Sequence, residues 1–215
     1  VAPRAGMGLH GVLYGASPTG SEDPRMDVTP TALPDVLVLT SPIHTDARGW
    51  LVECFSAAEM RACGLPDRFV QENCSTSHTG VLRGLHFQEG PAQGKLLQVV
   101  QGSIYDVVVD LRADSPTLGR WAGLRLAASQ PARLWVPPGM AHGFYVTEGP
   151  AVVMYQLTAP YAPQWDHCLA WDDPTVGVRW PLQGSPLLSE RDRQGLAWSQ
   201  VPKWRRPPAL PGAGA

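Results

Sequence analysis

His86 and Lys95 are the residues whose types and setting could do chemistry together. They stand in residues 80–100, GVLRGLHFQEGPAQGKLLQVV, where two stretches of strand character flank a loop containing Gly and Pro. In an extended segment over 81–88 side chains alternate, so Gly84, His86 and Gln88 share one face and Arg83, Leu85 and Phe87 the other. A glycine beside a histidine on one face leaves room for a molecule to approach the imidazole. Lys95 opens the following strand, which could carry its ammonium back toward the same cavity. An imidazole that accepts a proton and an ammonium that stabilises the resulting negative charge suit proton abstraction beside a carbonyl group. A histidine satisfied inside a barrel core and a lysine at a strand edge would read the same way, so this stretch alone leaves both readings open.

The elements around the pair are those of a β protein. Proline and glycine, 22 each, with eight tryptophans and many short Val/Leu runs, predict turn-rich β structure. Residues 35–40 (DVLVLT) read as the first strand, 44–49 as a polar turn and 50–55 (WLVECF) as the next strand. Residues 56–64 predict a short helix, with Ser56 as its cap, Glu59 three residues on and Gly64 at its end. A short extended piece over 69–73 leads through a Ser/Thr loop into the central stretch. Beyond Lys95, LLQVV and SIYDVVVDLR predict two strands around a turn at Gln101 and Gly102, and WAGLRLAA and ARLWV predict two more. Residues 137–143 (PPGMAHG) predict a turn that delivers His142. GFYVT and AVVMYQLT predict a hairpin across Glu148, Gly149 and Pro150, and only residues 189–198 offer another helix. Short strands at near-regular spacing predict an all-β fold: an antiparallel jelly-roll barrel with a few short peripheral helices.

The 215 residues suit one domain. Residues 1–25 read as a disordered extension, 26–200 as the folded domain and 201–215 as a flexible tail. A formal charge of -2 argues against an extended nucleic-acid footprint. No apolar run approaches a membrane span, and Gly, His and Ser interrupt any signal-like segment near the start. Cys54, Cys63, Cys74 and Cys168 form no C-x-x-C pair. That pattern fits free thiols in a reducing compartment, and the cytoplasm is the expected location.

A set of motifs then occurs in order over residues 26–200: DARGWLVECF, QENCSTSHTGVLRGLHFQ, AQGKL, DLRADSPTLG, PPGMAHGF, VMYQLTAPYAP, WDDP and LSERD. Together they resemble the dTDP-4-dehydrorhamnose 3,5-epimerases and their relatives in deoxysugar biosynthesis, which are cupin-type jelly rolls. The resemblance implies an epimerase that inverts C3, C5 or both in a dTDP-4-keto-6-deoxyhexose. It implies no organic cofactor, since the C4 ketone itself acidifies the neighbouring C–H bonds, and it implies a homodimer with exchanged N-terminal strands. It further implies that His86 is the general base and that Asp192, in LSERD, stands behind it to fix its tautomer and stabilise the imidazolium. Ser189-x-x-Asp192 is also a capping-box pattern, so the residues alone would let that carboxylate simply cap the last helix.

Tyr155 falls where the family carries its acid, on the face of the sugar opposite the base. By alternation it shares a side with Val153 and Leu157, as a core tyrosine would. Lys95 and His142 fall near the C4 oxygen. Asp106, inside a Val-rich strand, needs a partner if buried; it could orient His142 or lie at an edge. Arg48 and Glu53 match a pair offered to the nucleotide, often from the neighbouring subunit. Gln71, Asn73 and Ser75 match the polar run before the histidine, and Gln88, on the face of His86, joins the substrate set. Arg83 and Arg191 match the diphosphate contacts, since guanidinium meets phosphate oxygens at two points. Asp166 stands where many relatives have glutamate, and Leu51 where they usually have an aromatic residue.

Three other readings can be weighed. A metal-dependent cupin would hold its ion through two closely spaced histidines, a carboxylate and a later histidine. Here Phe87 and Gln88 follow His86, so no metal is expected. A sugar- or nucleotide-binding module without chemistry would have no use for His86, Lys95, Tyr155 and Asp192 together. An epimerase acting at C3 alone or C5 alone would use the same base and the same enolate.

Overall fold

The computed structural model describes residues 26–205. The extension expected over 1–25 and the end of the tail, 206–215, lie outside the described residues. In chain order the strands are β1 (Asp27–Pro30), β2 (Leu37–Thr40), β3 (Ile43–Asp46), β4 (Gly49–Val52), β5 (Gln71–Ser77), β6 (Leu82–Gln88), β7 (Lys95–Asp110), β8 (Trp121–Ala127), β9 (Arg133–Val136), β10 (Met140–Leu157) and β11 (Asp166–Cys168). Two short helices, α1 (Ala57–Ala62) and α2 (Glu190–Arg193), and a 3-10 turn at Pro163–Trp165 complete it.

The spine is a pair of strands longer than the sequence marks out: β7 has 16 residues and β10 has 18. They run antiparallel from Lys95 opposite Leu157 to Asp110 opposite Met140. The turn expected at Gln101 and Gly102, and the hairpin expected over 148–150, are therefore absent. Both signals mark one place, where the ladder slips register between Val146 and Val153. Gly102 has φ +74, and a Cβ there would strike the carbonyl oxygen of Glu148. Glycine and proline are serving a bulge rather than a chain reversal. Partners change across this irregularity. On one side β9 and β5 flank the spine; on the other, β8 and β6 do. The result is an antiparallel jelly roll with sheet order β1-β2-β9-β7-β10-β6-β11, β5 adding to β10 and β8 to β7.

Alternation along the spine decides what lies inside. Leu97, Val99, Ile104, Val108, Met140, Phe144, Val146 and Val153 form the main core with Leu134 and Val136. The opposite face, with Leu85, Phe87, Val107, Val109, Trp121 and Ala141, packs a second cluster. Each fully buried side chain of this kind contributes about 1.5–3 kcal/mol, so an inward polar residue is a costly exception. Asp106 lies between Ile104 and Val108, His142 between Met140 and Phe144, Tyr155 between Val153 and Leu157, and Lys95 two residues before Leu97. Those four exceptions share the inward face of the main core.

The periphery departs from expectation in several places: the turn expected over 44–49 is strand β3 as far as Asp46, and the Ser/Thr loop expected after residue 73 is strand β5 as far as Ser77. His142 belongs to β10 itself, not to a preceding turn. The helix expected over 189–198 stops after one turn. A Cβ at Gly195 would lie 2.6 Å from Ala170 Cα, and the chain there turns extended so that Leu196 bonds Cys168 and Ala170. The expected tail is packed over its described part, 201–205. Val201 is buried, Trp204 exchanges backbone bonds with Leu111 and Ala113, and Lys203 Nζ lies 3.7 Å from the centre of the Trp198 ring. α1 follows its capping pattern: Ser56 Oγ accepts from the Glu59 amide at 3.4 Å and Met60 is buried. β3 and β4 form a separate hairpin that turns over Ala47 and Arg48 and exposes Ile43, Trp50 and Leu51. Among the described residues no helix is long and apolar enough to cross a membrane.

Candidate active site

The site begins where β6 meets β10. His86 lies opposite His142, and the next pair is Arg83 opposite Phe144, so β6 carries one extra residue across the interval. Gly84, φ +121, falls there, and a Cβ on it would lie 2.6 Å from Gly143 Cα and 2.9 Å from the His142 carbonyl oxygen. The space left by this glycine is taken by the β10 backbone, not held open for a ligand as expected. The two glycines let the strands close up and set two imidazoles side by side across the ladder.

Each imidazole has its own carboxylate. His86 Nε2 lies 2.5 Å from Asp192 Oδ1, which also accepts from the Gly84 amide at 3.3 Å. Ser189 Oγ donates to the other oxygen of Asp192 at 2.7 Å, while the Asp192 amide donates to Ser189 Oγ at 3.1 Å. The helix is capped by the Ser189 hydroxyl; the Asp192 carboxylate holds that hydroxyl with one oxygen and serves the histidine with the other, so the cap and the pair coexist. Burial opposes the charge on Asp192, but the bonds from His86, Ser189 and Gly84 outweigh it and hold the pKa at about 2. The His86 side chain is 30% exposed. Desolvation outweighs the pull of Asp192 and sets its pKa below the ordinary 6.5, with Arg191 and Lys95 adding to the fall. The imidazole is neutral at pH 7 and backed by an anion, as a general base requires.

The second pair is His142 Nε2 on Asp106 Oδ2 at 2.8 Å, with Asp106 fully buried. Lys95 Nζ donates to the carbonyl oxygen of His86 at 3.4 Å. Burial pushes Lys95 down to about 8 against the pull of Asp106 and Asp166. Among the described residues two buried side-chain oxygens lack a hydrogen-bond partner, Asp106 Oδ1 and Ser75 Oγ. Unsatisfied groups of this kind in a core need an explanation, and a polar ligand or water supplies one.

The remaining expected residues divide into those near this interior and those spent elsewhere. Tyr155 lies on the inward side of β10 opposite Asn73 of β5, and its hydroxyl has no hydrogen-bond partner among the described residues. Gln71 binds Asn73 at 3.1 Å and accepts from the Tyr161 amide. Arg191 pairs with Asp166 at 2.7 Å, and Tyr161 donates to the same carboxylate at 2.9 Å. Gln88 is buried, its amide donates to the carbonyls of Pro91 and Pro160, and its oxygen accepts from the Ala162 amide. That side chain braces the loops before β7 and after β10 and has little capacity left for substrate. Arg83 lies opposite Phe144, so the extra residue of β6 brings it to the side of His86 and not, as alternation predicts, to that of Leu85 and Phe87; it donates to Ser77 Oγ and the Thr76 carbonyl. Arg48 and Glu53 are not brought to the histidines within the described residues; the Arg48 side chain is 90% exposed and, among those residues, pairs only with Asp46 of its own hairpin.

Two contributors escaped the sequence reading. Gly143 had a visible signal, since a glycine follows His142 as one stands two before His86. Cys168 had none; its thiol lies 3.9 Å from Asp192 Oδ1. The ligand atoms of His86, Cys168 and Asp192 lie within 4.8 Å of one another. Burial pushes the Cys168 thiol up to about 12, so it is a neutral weak donor here and not the thiolate that metals prefer.

Comparison with known proteins points one way. The profile of a family described as dTDP-4-dehydrorhamnose 3,5-epimerase matches residues 30–200. A protein of that name from Pseudomonas aeruginosa is 46% identical over 177 residues, covering 82% of this chain and 98% of its own length. One from Neisseria gonorrhoeae is 48% identical over 179 residues and 83% of this chain, which spans about half (54%) of that relative's length. A solved structure of a dTDP-6-deoxy-D-glucose-3,5-epimerase from Legionella pneumophila, in complex with dTDP-4-keto-L-rhamnose, superposes with a TM-score of 0.81. It has 36% identity and covers 85% of this chain and 100% of its own.

Proposed function

Because this chain belongs to the dTDP-4-dehydrorhamnose 3,5-epimerase family, we propose that it inverts C3 and C5 of a dTDP-4-keto-6-deoxyglucose-type nucleotide sugar. The observation that carries the proposal is the His86–Asp192 pair at 2.5 Å, open on the imidazole side and ionised on the carboxylate side. His86 takes the proton from the carbon beside the C4 ketone, and Asp192 stabilises the imidazolium that forms. Negative charge moves onto the C4 oxygen, where Lys95 and His142 (the latter oriented by Asp106) hold it. Such a donor is worth about 3 kcal/mol of barrier. The enolate carbon is planar, so a proton returned from the opposite side inverts it. Tyr155 is assigned that delivery, directly or through a water it positions. The chemistry needs no organic cofactor.

Gln71, Asn73, Ser75, Asp166 and Arg191 are assigned to the substrate. The hairpin of β3 and β4 is assigned to a partner: its Trp50, Leu51 and Ile43 are exposed, and among the described residues Arg48 pairs only with Asp46 of the same hairpin. A homodimer in which each hairpin serves the neighbouring site accounts for both. Four unpaired thiols, three of them exposed, support a cytoplasmic setting. The test is proton NMR of dTDP-4-keto-6-deoxyglucose with the enzyme in heavy water. Loss of the H3 and H5 signals is expected, and a substrate that keeps both would remove the proposal.

A further inference from the structure

Arg133 is the charged residue that the fold and the proposed chemistry leave unexplained. Along β9, Leu134 and Val136 enter the main core, while Trp135 joins the separate cluster of Leu39, Met60 and Leu96. Arg133 lies on the side of Trp135 and is only 4% exposed. Among the described residues no carboxylate lies within ion-pair distance of it; burial lowers its pKa from the ordinary 12.5, against a weaker opposing pull from Cys54, Glu59 and Glu53. A buried cation without a contacting carboxylate is costly, and an apolar residue would fill the space at less expense.

Its hydrogen bonds show what it does. One guanidinium nitrogen donates to the Cys54 carbonyl oxygen at 2.7 Å and another to Ser41 Oγ at 2.5 Å. Ser41 stands just before β3 and Cys54 just after β4, so one side chain grips both roots of the hairpin. Among the described residues these are the only hydrogen bonds between residues 41–55 and the rest of the protein. Apolar support at the root comes from Phe55, packed against the cluster of Leu39, Met60, Leu96 and Trp135. Phe55 meets Phe69 edge-on at 5.8 Å, and Phe69 leans on Trp135. Beside them lies a cavity of about 80 Å³ lined by Cys54, Phe55, Glu72, Arg133 and Met154 among others. Incomplete packing cannot fix an angle, whereas a rigid two-pronged donor can.

We infer that Arg133 is a positioning residue: it sets the direction of the β3–β4 hairpin, and so where Arg48 and Glu53 are presented to the nucleotide end of the substrate. What Arg48 meets rests on the function proposed above; the grip on the hairpin does not. The test compares Arg133→Met, Arg133→Lys, Arg48→Ala and the double variant Arg133→Met/Arg48→Ala, with dTDP-4-keto-6-deoxyglucose as substrate. Arg133→Met is expected to raise KM about tenfold, the scale of one charged hydrogen bond, with kcat nearly unchanged. Arg133→Lys should recover part of the loss, and the double variant should be no worse than Arg48→Ala alone. A residue that only supports the fold would lower the active fraction and leave KM at the wild-type value. Full additivity of the two substitutions, or an unchanged KM, would overturn the inference. Tryptic cleavage after Arg48, read by mass spectrometry, decides the grip without any activity. It should quicken in Arg133→Met, and in Arg133→Lys should Met not fold, while the rest of the chain stays protected. Unchanged cleavage refutes the grip. A wild-type enzyme that exchanges no substrate proton refutes the epimerase reading instead.

Discussion

Asp192→Asn separates the charge of the supporting carboxylate from its shape. In the native protein one oxygen meets His86 and the Gly84 amide and the other meets Ser189. Asn can keep an acceptor toward His86 and turn its amide toward Ser189, so the fold should survive. What is lost is ionisation. The fall of the Asp192 pKa from the ordinary 3.8 to about 2 corresponds to about 2 kcal/mol of folding stability in this buried side chain. Because the folded-state value is the lower one, that stabilisation is complete above about pH 4 and disappears as the pH falls toward 2. Urea titrations at a series of pH values should show the variant about 2 kcal/mol less stable at pH 7, with the gap closing in acid. Activity should drop more sharply, by about 10²–10⁴-fold, since the imidazolium loses its counter-charge. Removing the anion also removes what raises the His86 pKa, so the acid limb of kcat/KM should move to lower pH. A variant that turns over at the wild-type rate, or whose stability gap is the same at pH 7 and pH 2, would refute this account of Asp192.

Other consequences can be checked alongside. Lys95 must be charged to hold an enolate, and its pKa is about 8, so wild-type kcat should decline as the pH rises through that value. Lys95→Met should lose about 10²–10³-fold in kcat together with that alkaline limb; a variant that keeps the limb would assign it to another group. Gly84→Ala places a Cβ 2.6 Å from Gly143 Cα at φ +121. It should cost about 3 kcal/mol of stability and displace the amide that serves Asp192, measured as Tm and exchange rate together. A Tm within about 2 °C of wild type would contradict the close approach of β6 and β10.

How much of this was legible in the sequence depended on how local the cause was. Strand alternation over 85–88 sets His86 on the face opposite Leu85 and Phe87, whereas the extra residue at Gly84 breaks it for Arg83; the Ser56 and Ser189 caps are readable because each involves neighbours in the chain. The spine was misread because Gly102 and the run Gly149, Pro150 carry turn chemistry, while the partner strand that makes them a bulge lies far away in sequence. Gln88 shows the limit of face assignment. It shares the face of His86 as expected, yet its side chain is consumed by the Pro91 carbonyl of the loop before β7 and by the Pro160 carbonyl and Ala162 amide of the loop after β10. The convergence of His86 with Asp192 joins residues with no local pattern in common, and only the resemblance to a family could supply it. Arg133 gave no signal, since its meaning lies in two acceptors at opposite ends of a distant hairpin.

The proton-abstracting role of His86 is tested most directly by deuterium incorporation into dTDP-4-keto-6-deoxyglucose with His86→Ala beside the wild type, both shown to be folded by circular dichroism. The account predicts that C3 and C5 take up solvent deuterium with the wild type and that the variant falls at least about 10²-fold behind at both carbons. Undiminished uptake in a folded His86→Ala protein would contradict it.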